Sequence, residues 1–417
     1  MAKKIIISLL SGLIILAITW KYQNYDFSLS VEDSFMKKMF LLKENIYATP
    51  SKAKADFVFI NTGKDLALVE DTLQEYGQVV VSDREKIYRF LAHLNTLPVK
   101  PLFSVIDIQF YFPYTKDLRV DSLLMNELAK NDKLLIPILK IDGEYYKNPL
   151  YKTRYAYSNY RTFGPTFNKF RIMNEEEIAS IPLILHQSIN NAVYKDGFFF
   201  PTCNGRLCLS ALWPNYYLKN DDITGLNYHA NVQEIKKDIP PRRQENVSAQ
   251  YYNLGEILLD LDTDKEKYAS FFAGKIIIMG NFDADIHLTP VGKMAGPILL
   301  ANIYLSLLNG QHIISSWLLI VLMLAFSALS YVAWFSKIPE LKFNFKFLFS
   351  SYLEKFIRGY ISYFGCMFFL SILVLLFFNV QVALFLPSFI FTGIEYIRKK
   401  KYKSKSTAIQ PVTPEEV

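Results

Sequence analysis

The sequence predicts an α/β domain with a mostly parallel sheet, held in a membrane by four transmembrane α-helices, one N-terminal and three C-terminal. Three observations support this fold class. Uncharged stretches are concentrated at the two ends of the 417-residue chain. Between them, short apolar runs rich in β-forming residues alternate with amphipathic helical stripes. Three clusters of basic residues all fall on one side of the membrane when the spans number four.

The first uncharged stretch runs from Ile5 to Trp20, after Lys3 and Lys4 and before Lys21. Its length fits either a membrane span or the core of a cleaved signal peptide. The residues that follow lack a small-x-small cleavage site and include aromatics, which are typical of a membrane interface. The sequence therefore predicts an uncleaved N-terminal anchor over residues 1–24.

Two further uncharged stretches predict the C-terminal spans. The first covers Ile313 to Phe335, and the second, Tyr360 to Ile394, is long enough for two spans joined by a turn at Asn379 to Gln381. Three transmembrane helices are thus predicted within residues 313–398. A connector at 336–359 separates the first two, and a basic tail occupies 399–417.

Charge placement predicts the orientation, because lysine and arginine near span ends stay in the cytoplasm. The N-terminal lysines, the connector and the tail carry the basic clusters, which puts both termini in the cytoplasm. Residues 25–312 are then expected in the periplasm, outside a bacterial inner membrane. The net charge of +7 is explained by this topology, so no nucleic-acid partner is expected. The connector alternates aromatics with lysines, which suits either lipid headgroups or a partner protein.

The predicted outer domain contains four apolar runs that do not alternate cleanly with polar residues, as expected for strands buried on both faces of a parallel sheet. Those runs are Phe57–Ile60, Leu102–Ile108, Leu134–Leu139 and Lys275–Gly280. A helix is predicted after Ser82, a good N-cap with Glu85 three residues later. A second stripe includes Leu124 and Leu128. Residues from about Lys140 to Asp264 are predicted to form irregular structure and hairpins.

The chain has three cysteines, too few for a disulfide scaffold. Cys203 and Cys208 flank Asn204-Gly205, a dipeptide that favours tight turns. They form either a disulfide across a small loop or two half-buried thiols. Since no further cysteine or paired histidine stands near them in the sequence, neither a metal site nor a cofactor is predicted.

Residues 272–310 carry a specific pattern: Gly274-Lys275 before an apolar strand that ends at Gly280, an aspartate followed by Thr-Pro, a Met-x-Gly, and Ala-Asn in a helix leading to the membrane. This pattern resembles the end of the second class of CHASE domains, which are extracytoplasmic sensory modules. The resemblance covers about Phe27 to His312. The family's one-plus-three arrangement of spans is also similar, so the resemblance implies a sensory α/β domain between membrane helices.

Relatives of that family typically continue into a cytoplasmic histidine kinase or nucleotide cyclase, whereas about twenty residues follow the last predicted span here. The resemblance implies structural roles for Gly274, Lys275, Gly280, Pro290, Gly296 and Asn302. The glycines and the proline would shape turns, and Asn302 would cap or pin the last helix of the domain. An output function is therefore expected from a separate protein.

Candidate ligand-binding residues are Asp107, Asp285, His287 and Thr289. Aspartates and a histidine at the carboxyl ends of parallel strands stand where α/β folds bind ligands. They could bind a small polar molecule, chelate a cation, perform acid/base work or only hydrogen-bond loop amides. No nucleophile elbow, His-Glu-x-x-His or Walker motif is present, so no catalytic residue and no enzyme activity are predicted.

Two functions remain open at this point. The first is a sensor or receptor subunit that acts through partner proteins, one of them a separate kinase or cyclase. The second is a structural or scaffold subunit of a cell-envelope complex. Either function implies contact with the lipid bilayer and with other membrane or envelope proteins, in a homo- or hetero-oligomer.

Overall fold

The structure is a computed structural model. It describes residues 1–23, 34, 37–39, 41–43, 51–71, 77–141, 144–146, 154–158, 166–167, 169–173, 178–195, 197, 201–218, 246–264, 270–336, 351–378 and 380–407. The chain divides into two compact units. One unit comprises Met1–Phe35, Gly197–Phe200 and Ile314–Val417, and the other comprises Met36–Asp196 and Pro201–Ile313.

The helices of the described residues are α1 (Ala2–Gln23), α2 (Arg84–Thr96), α3 (Leu118–Ala129), α4 (Ile181–Asn190), α5 (Leu254–Thr263), α6 (Gly296–Leu308), α7 (Ser316–Phe335), α8 (Ser351–Phe378) and α9 (Phe385–Thr407). The strands are β1 (Ala55–Asn61), β2 (Leu66–Glu70), β3 (Gln78–Ser82), β4 (Phe103–Asp107), β5 (Leu134–Ile141), β6 (Glu144–Tyr146), β7 (Arg154–Tyr157), β8 (Phe170–Arg171), β9 (Tyr194–Lys195), β10 (Thr202–Cys203), β11 (Arg206–Leu207), β12 (Ala211–Leu212), β13 (Val247–Asn253), β14 (Ile276–Gly280), β15 (Ile286–Thr289) and β16 (Gly292–Ala295).

The central sheet has the order β13-β1-β14-β4-β5-β6, with β7 also paired to β5. Every pairing in it is parallel except that of β5 with β6. The predicted mostly parallel sheet is confirmed, and each of the four predicted runs forms one of its strands. The strand β14 lies in the interior between β1 and β4, as its wholly apolar sequence predicts.

Both faces of the sheet are covered by helices, which explains why its strands lack polar alternation. On β1, Phe57 and Phe59 face a core that includes residues of α4 and α6. Val58 and Ile60 point the other way, into a core built with α2, α3 and α5. Successive strand residues point to opposite faces, so a strand between two helix layers needs apolar residues at every position.

Several details differ from the sequence-based expectations, and the helices α4 and α5 lie in the region that was expected to be irregular. The N-cap of α2 is Asp83, whose side chain accepts the Glu85 and Lys86 amides, while Ser82 is the last residue of β3. The β2–β3 hairpin was not predicted. Nor was β13, which lies in the region expected to be irregular and pairs along its full length with β1. Its polar residues obscured the strand pattern, and tertiary pairing with β1 compensates for this weak local signal.

Among the described residues, three helices are long and apolar enough to cross a membrane: Ala2–Gln23, Ser316–Phe335 and Phe356–Phe378. The helix α9 does not meet that description. Its uncharged part ends at Ile394, before Glu395 and the basic run from Arg398. At 1.5 Å per residue such a short segment covers roughly 15 Å, about half of a bilayer core. The expected connector residues 337–350 and the end of the tail, 408–417, lie outside the described residues.

The apolar helices pack closely within their own unit. A Cβ at Gly12 of α1 would lie 2.7 Å from the Ser327 Cα of α7, so these two helices meet through small residues. At the end of α1, the Gln23 side chain bonds the backbone of Gln381 and Ala383, just before α9. Beyond the uncharged part of α9, Arg398 donates to the Val332 carbonyl of α7 at 3.2 Å.

Candidate functional site

The carboxyl ends of four neighbouring strands form one row across the sheet. Asn253 of β13 pairs with Asn61 of β1. Asn61 also pairs with Gly280 of β14, and Gly280 in turn pairs with Asp107 of β4. Each is the last residue of its strand. This edge of a parallel sheet is where α/β folds place ligands, because loops and helix N-termini converge there.

The Asn61 side of this row is bonded within the protein. The Asn61 side chain is fully buried and accepts the Gly63 and Phe282 amides at 2.8 and 3.0 Å. Its Nδ2 donates to Asn253 and Asp283 at 3.3 and 3.2 Å. With donors and acceptor both engaged, Asn61 fixes the loops around it and is poorly placed to bind a ligand.

The Asp107 side of the row carries unusual charge. Burial and the nearby Asp285 carboxylate raise the pKa of Asp107 from 3.8 to about 7, although a bond from Ser158 and the charge of His287 lower it. Three sequence-predicted residues, Asp107, Asp285 and His287, are therefore brought together. A carboxyl group whose pKa is close to 7, next to a second carboxylate, is typical of a functional site.

Asp285 and His287 form a pair. The His287 Nε2 lies 3.0 Å from Asp285 Oδ1, and the two side chains are 33% and 44% exposed. Their hydrogen bond raises the pKa of His287, an effect that burial opposes. The ring of Phe167 packs edge-on to His287 at 5.9 Å between centroids, giving the site one apolar wall.

The site lies against the beginning of α6. The Gly296 amide, at the first residue of that helix, donates to the Asp285 carbonyl at 2.8 Å. A Cβ at Gly296 would stand 1.8 Å from Asp285 Oδ2, so only glycine leaves room for this carboxylate. A Cβ at Gly280 would similarly stand 2.7 Å from the ring of Pro297. Both glycines therefore permit close approach of backbone to side chain, which explains two positions of the sequence motif.

Thr289 does not join this cluster. It is fully buried, its hydroxyl donates to the Gly292 carbonyl at 2.8 Å, and the same oxygen accepts the Val291 amide. These bonds close the turn of the β15–β16 hairpin, where the sequence predicted only a loop around Pro290. The geometry thus assigns Thr289 a structural role instead of the expected ligand role.

The other motif residues also stabilise the fold. Gly274 has φ of 70°, a conformation that favours glycine at the turn before β14. Lys275 bonds Gln250 at 2.8 Å and lies over the Phe271 ring. Asn302 is buried in the middle of α6, so it pins another segment to this helix and does not cap it.

The arrangement of Asp107, Asp285 and His287 can recognise a small molecule that carries a positive charge or several hydrogen-bond donors. Two carboxyls supply acceptors, and the histidine can donate or accept according to its protonation. The same groups could transfer a proton, since the pKa of Asp107 is close to 7.

The cysteines do not form the disulfide considered from the sequence. Cys203 and Cys208 are buried thiols. The predicted turn is present, with φ of 50° at Asn204 and 73° at Gly205. In the hairpin Cys203 is the partner of Arg206, so Cys208 is its diagonal neighbour on the same face. Diagonal Cα atoms are about 7–8 Å apart, beyond the usual reach of a disulfide.

The fold instead brings two histidines to Cys203. The ligand atoms of His186, Cys203 and His312 all lie within 4.8 Å of one another, and all three residues are buried. The absence of a neighbouring histidine in the sequence had argued against a metal site. The three residues come from α4, from β10 and from the segment after α6, so only tertiary contacts join them and no local spacing could reveal the cluster.

No protein family, curated protein or solved structure matches the chain. The resemblance to CHASE domains is therefore carried by the sequence motif of residues 272–310 alone.

Proposed function

We propose that this protein is a sensor or receptor subunit of a bacterial inner membrane, whose periplasmic domain binds a small polar ligand at Asp107, Asp285 and His287. The observation that carries the proposal is the contact between Asp285 and Gly296. It joins the charged cluster to the first residue of α6, which is the last helix of the domain before the chain enters α7.

The chemistry of the cluster defines the class of ligand. A cationic group would be attracted by Asp285 and would favour the ionised form of Asp107, because an opposite charge stabilises a carboxylate. Binding would then release a proton from Asp107 near neutral pH. An amine or amidine of small size meets these requirements, and Phe167 can contact its apolar part.

The helix α6 is suited to carry a signal. Its residues Gly296 to Leu307 are all buried, so the helix cannot shift without rearranging its neighbours. A ligand that moves Asp285 acts on the amino end of this helix. A packed helix has discrete arrangements, which makes a two-state response more natural than a gradual one.

The proposal includes a fourth span formed by α9, with both termini in the cytoplasm. Two contacts support this span. Gln23, the last residue of α1, bonds Ala383 just before α9. Arg398, beyond the apolar part of α9, bonds Val332 near the end of α7. Packing of Phe391 against Phe326 and Tyr363 lies between those ends. The neighbouring helices shield α9 from lipid. The polar residues that follow its apolar part are then tolerated in the membrane, so a shorter apolar segment suffices.

Partner proteins would provide the output of this subunit. An exposed apolar face on the β2–β3 hairpin supports a protein contact. Leu66, Leu68 and Val80 are 46%, 54% and 62% exposed, and Leu68 is directly opposite Val80 in the hairpin register. Exposed apolar residues grouped on one strand face mark interaction surfaces more often than scattered ones do.

The test is to purify the native complex in mild detergent and to compare Asp285→Asn with the unaltered protein. We expect a kinase or cyclase to co-purify with both, and its activity in membranes to differ between them. A partner set of envelope-assembly proteins, unaffected by Asp285→Asn, would favour the scaffold function instead. A purified monomer that turns over a substrate and fails with Asp285→Ala would replace both with an enzyme.

A further inference from the structure

We propose that His186, Cys203 and His312 form a binding site for Zn²⁺ inside the α/β domain, separate from the Asp107 cluster. The ligand atoms of the three side chains lie within 4.8 Å of one another. Zinc–nitrogen and zinc–sulfur bonds are about 2.0 and 2.3 Å long, so a tetrahedral ion holds its ligand atoms about 3.3–3.8 Å apart, which lies within that limit.

Three of the four ring nitrogens of the two histidines have no hydrogen-bond partner among the described residues. His312 is 1% exposed, and neither of its ring nitrogens has a hydrogen-bond partner among the described residues. The Nδ1 atom of His186, which is 8% exposed, also lacks a partner there. A buried neutral imidazole holds one donor and one acceptor, and leaving both unsatisfied is rare in folded proteins. A metal ion at this point would use the acceptor nitrogens.

The arrangement of the rings fits shared ligation better than a bond between the histidines. Their centroids are 5.4 Å apart, and the ring planes are nearly perpendicular, at 82°. Both imidazoles are buried, and a metal ion binds the neutral form of histidine. On binding, Zn²⁺ accepts an electron pair from one nitrogen of each ring and from the Cys203 sulfur, whose proton leaves to the solvent.

The ligand types favour zinc over magnesium or calcium. Imidazole and thiolate are borderline and soft ligands, whereas magnesium and calcium require oxygen ligands. Three protein ligands leave the fourth position of a tetrahedral zinc ion for a water molecule. Such a site would tie α4, the β10–β11 hairpin and the segment after α6 together. Cys208 is buried in the same apolar cluster as Cys203.

Zinc content of the purified full-length protein tests the proposal. After growth with added zinc and purification in mild detergent, we expect about one zinc ion per chain. Cys203→Ser and His312→Gln should each reduce that content at least about tenfold. The matched controls are His93→Gln, at a histidine paired with Asp262 on the surface, and Cys366→Ser, in α8; both should retain the zinc.

A second measurement avoids variants that fail to fold. Chelator-treated wild-type protein is reloaded with Co²⁺, and its absorption spectrum should show a thiolate-to-cobalt charge-transfer band together with ligand-field bands of tetrahedral cobalt. Zinc content equal in Cys203→Ser and wild type would overturn the proposal. So would wild-type protein that binds neither metal, or a Cys203–Cys208 disulfide found by mass spectrometry in protein from native membranes.

Discussion

Asn302 holds the backbone of Leu218 from both sides: its Oδ1 accepts the Leu218 amide at 2.9 Å, and its Nδ2 donates to the Leu218 carbonyl at 2.8 Å. The same Oδ1 accepts the Tyr217 amide at 2.7 Å. This one side chain therefore takes the place of a strand partner for a segment that crosses α6. The arrangement explains why asparagine, with an acceptor and donors on one short side chain, occupies the middle of an apolar helix.

Asn302→Ala should lower the free energy of unfolding by about 3 kcal/mol, because three buried backbone groups lose their partners. Thermal unfolding of the full-length protein in detergent measures this effect. The control is Asn131→Ala, whose side chain accepts an exposed Lys133 amide and whose loss should cost about 0.5 kcal/mol or less. Equal stability of the two variants would mean that the Leu218 contact contributes little.

Asp107 should make the protein less stable as pH rises. A carboxyl with a folded-state pKa of about 7, above its unfolded value of 3.8, binds more protons when folded. The resulting stabilisation is complete at low pH and is lost as pH rises from about 4 through 7. The full shift corresponds to at most about 4 kcal/mol, and partial exposure reduces the expected loss to about 2 kcal/mol.

Asp107→Asn removes this titration. We therefore expect the variant to gain stability relative to wild type between pH 5 and pH 8, measured as the change in melting temperature across the series. Asp56→Asn, at a strand residue whose side chain accepts a hydrogen bond from the Ser248 hydroxyl, is the matched control. If wild type and Asp107→Asn show parallel curves, the pKa of Asp107 is not raised.

Gly296→Ala should disturb the Asp285–His287 pair. The added Cβ would overlap the Asp285 carboxylate, which must move, and the strain should cost about 2 kcal/mol. Displacement of Asp285 should also bring the pKa of His287 back towards its ordinary value, which an NMR titration of labelled histidine can follow. Gly365→Ala serves as control, since nothing lies within 4 Å of its added Cβ. An unchanged His287 titration in Gly296→Ala would contradict the geometry.

The exposed hairpin face offers a test of partner binding. Leu68→Lys combined with Val80→Glu replaces two opposed apolar side chains by an ion pair that the hairpin register can accommodate. We expect normal folding and a several-fold loss of co-purifying partner. Val193→Lys, at an apolar residue that is 54% exposed elsewhere in the domain, should leave the partner bound. Full recovery of the partner with the double variant would assign the contact to another surface.

Membrane topology can be read by cysteine labelling in intact cells. The variant Asp196→Cys should react with an impermeant reagent from outside. The variants Lys346→Cys and Lys403→Cys should not react, because basic segments remain in the cytoplasm. The positions Asp196 and Lys346 lie outside the described residues, so only the charge pattern supports this prediction. Outside labelling at Lys346 would rule out the four-span arrangement.

Much of the fold could be predicted from local sequence. The buried strands could be recognised in the sequence because a strand covered on both faces is apolar at every position, as Ile276 to Met279 are. Long uncharged stretches likewise indicated the membrane helices. The polar strand β13 was missed because its stability comes from pairing with β1, which no window of its own sequence records.

The candidate site could likewise be predicted only in part from local sequence. The sequence by itself predicted Asp107, Asp285 and His287 as ligand-binding candidates at the ends of strands, although His287 lies within β15. Only the tertiary structure decided that these three meet, that Thr289 closes a turn, and that His186 and His312 approach Cys203. The physical reason is range. Strand and helix patterns arise from neighbours along the chain, whereas both sites also need packing between distant segments: Asp107 and Asp285, like Cys203 and His312, are more than a hundred residues apart.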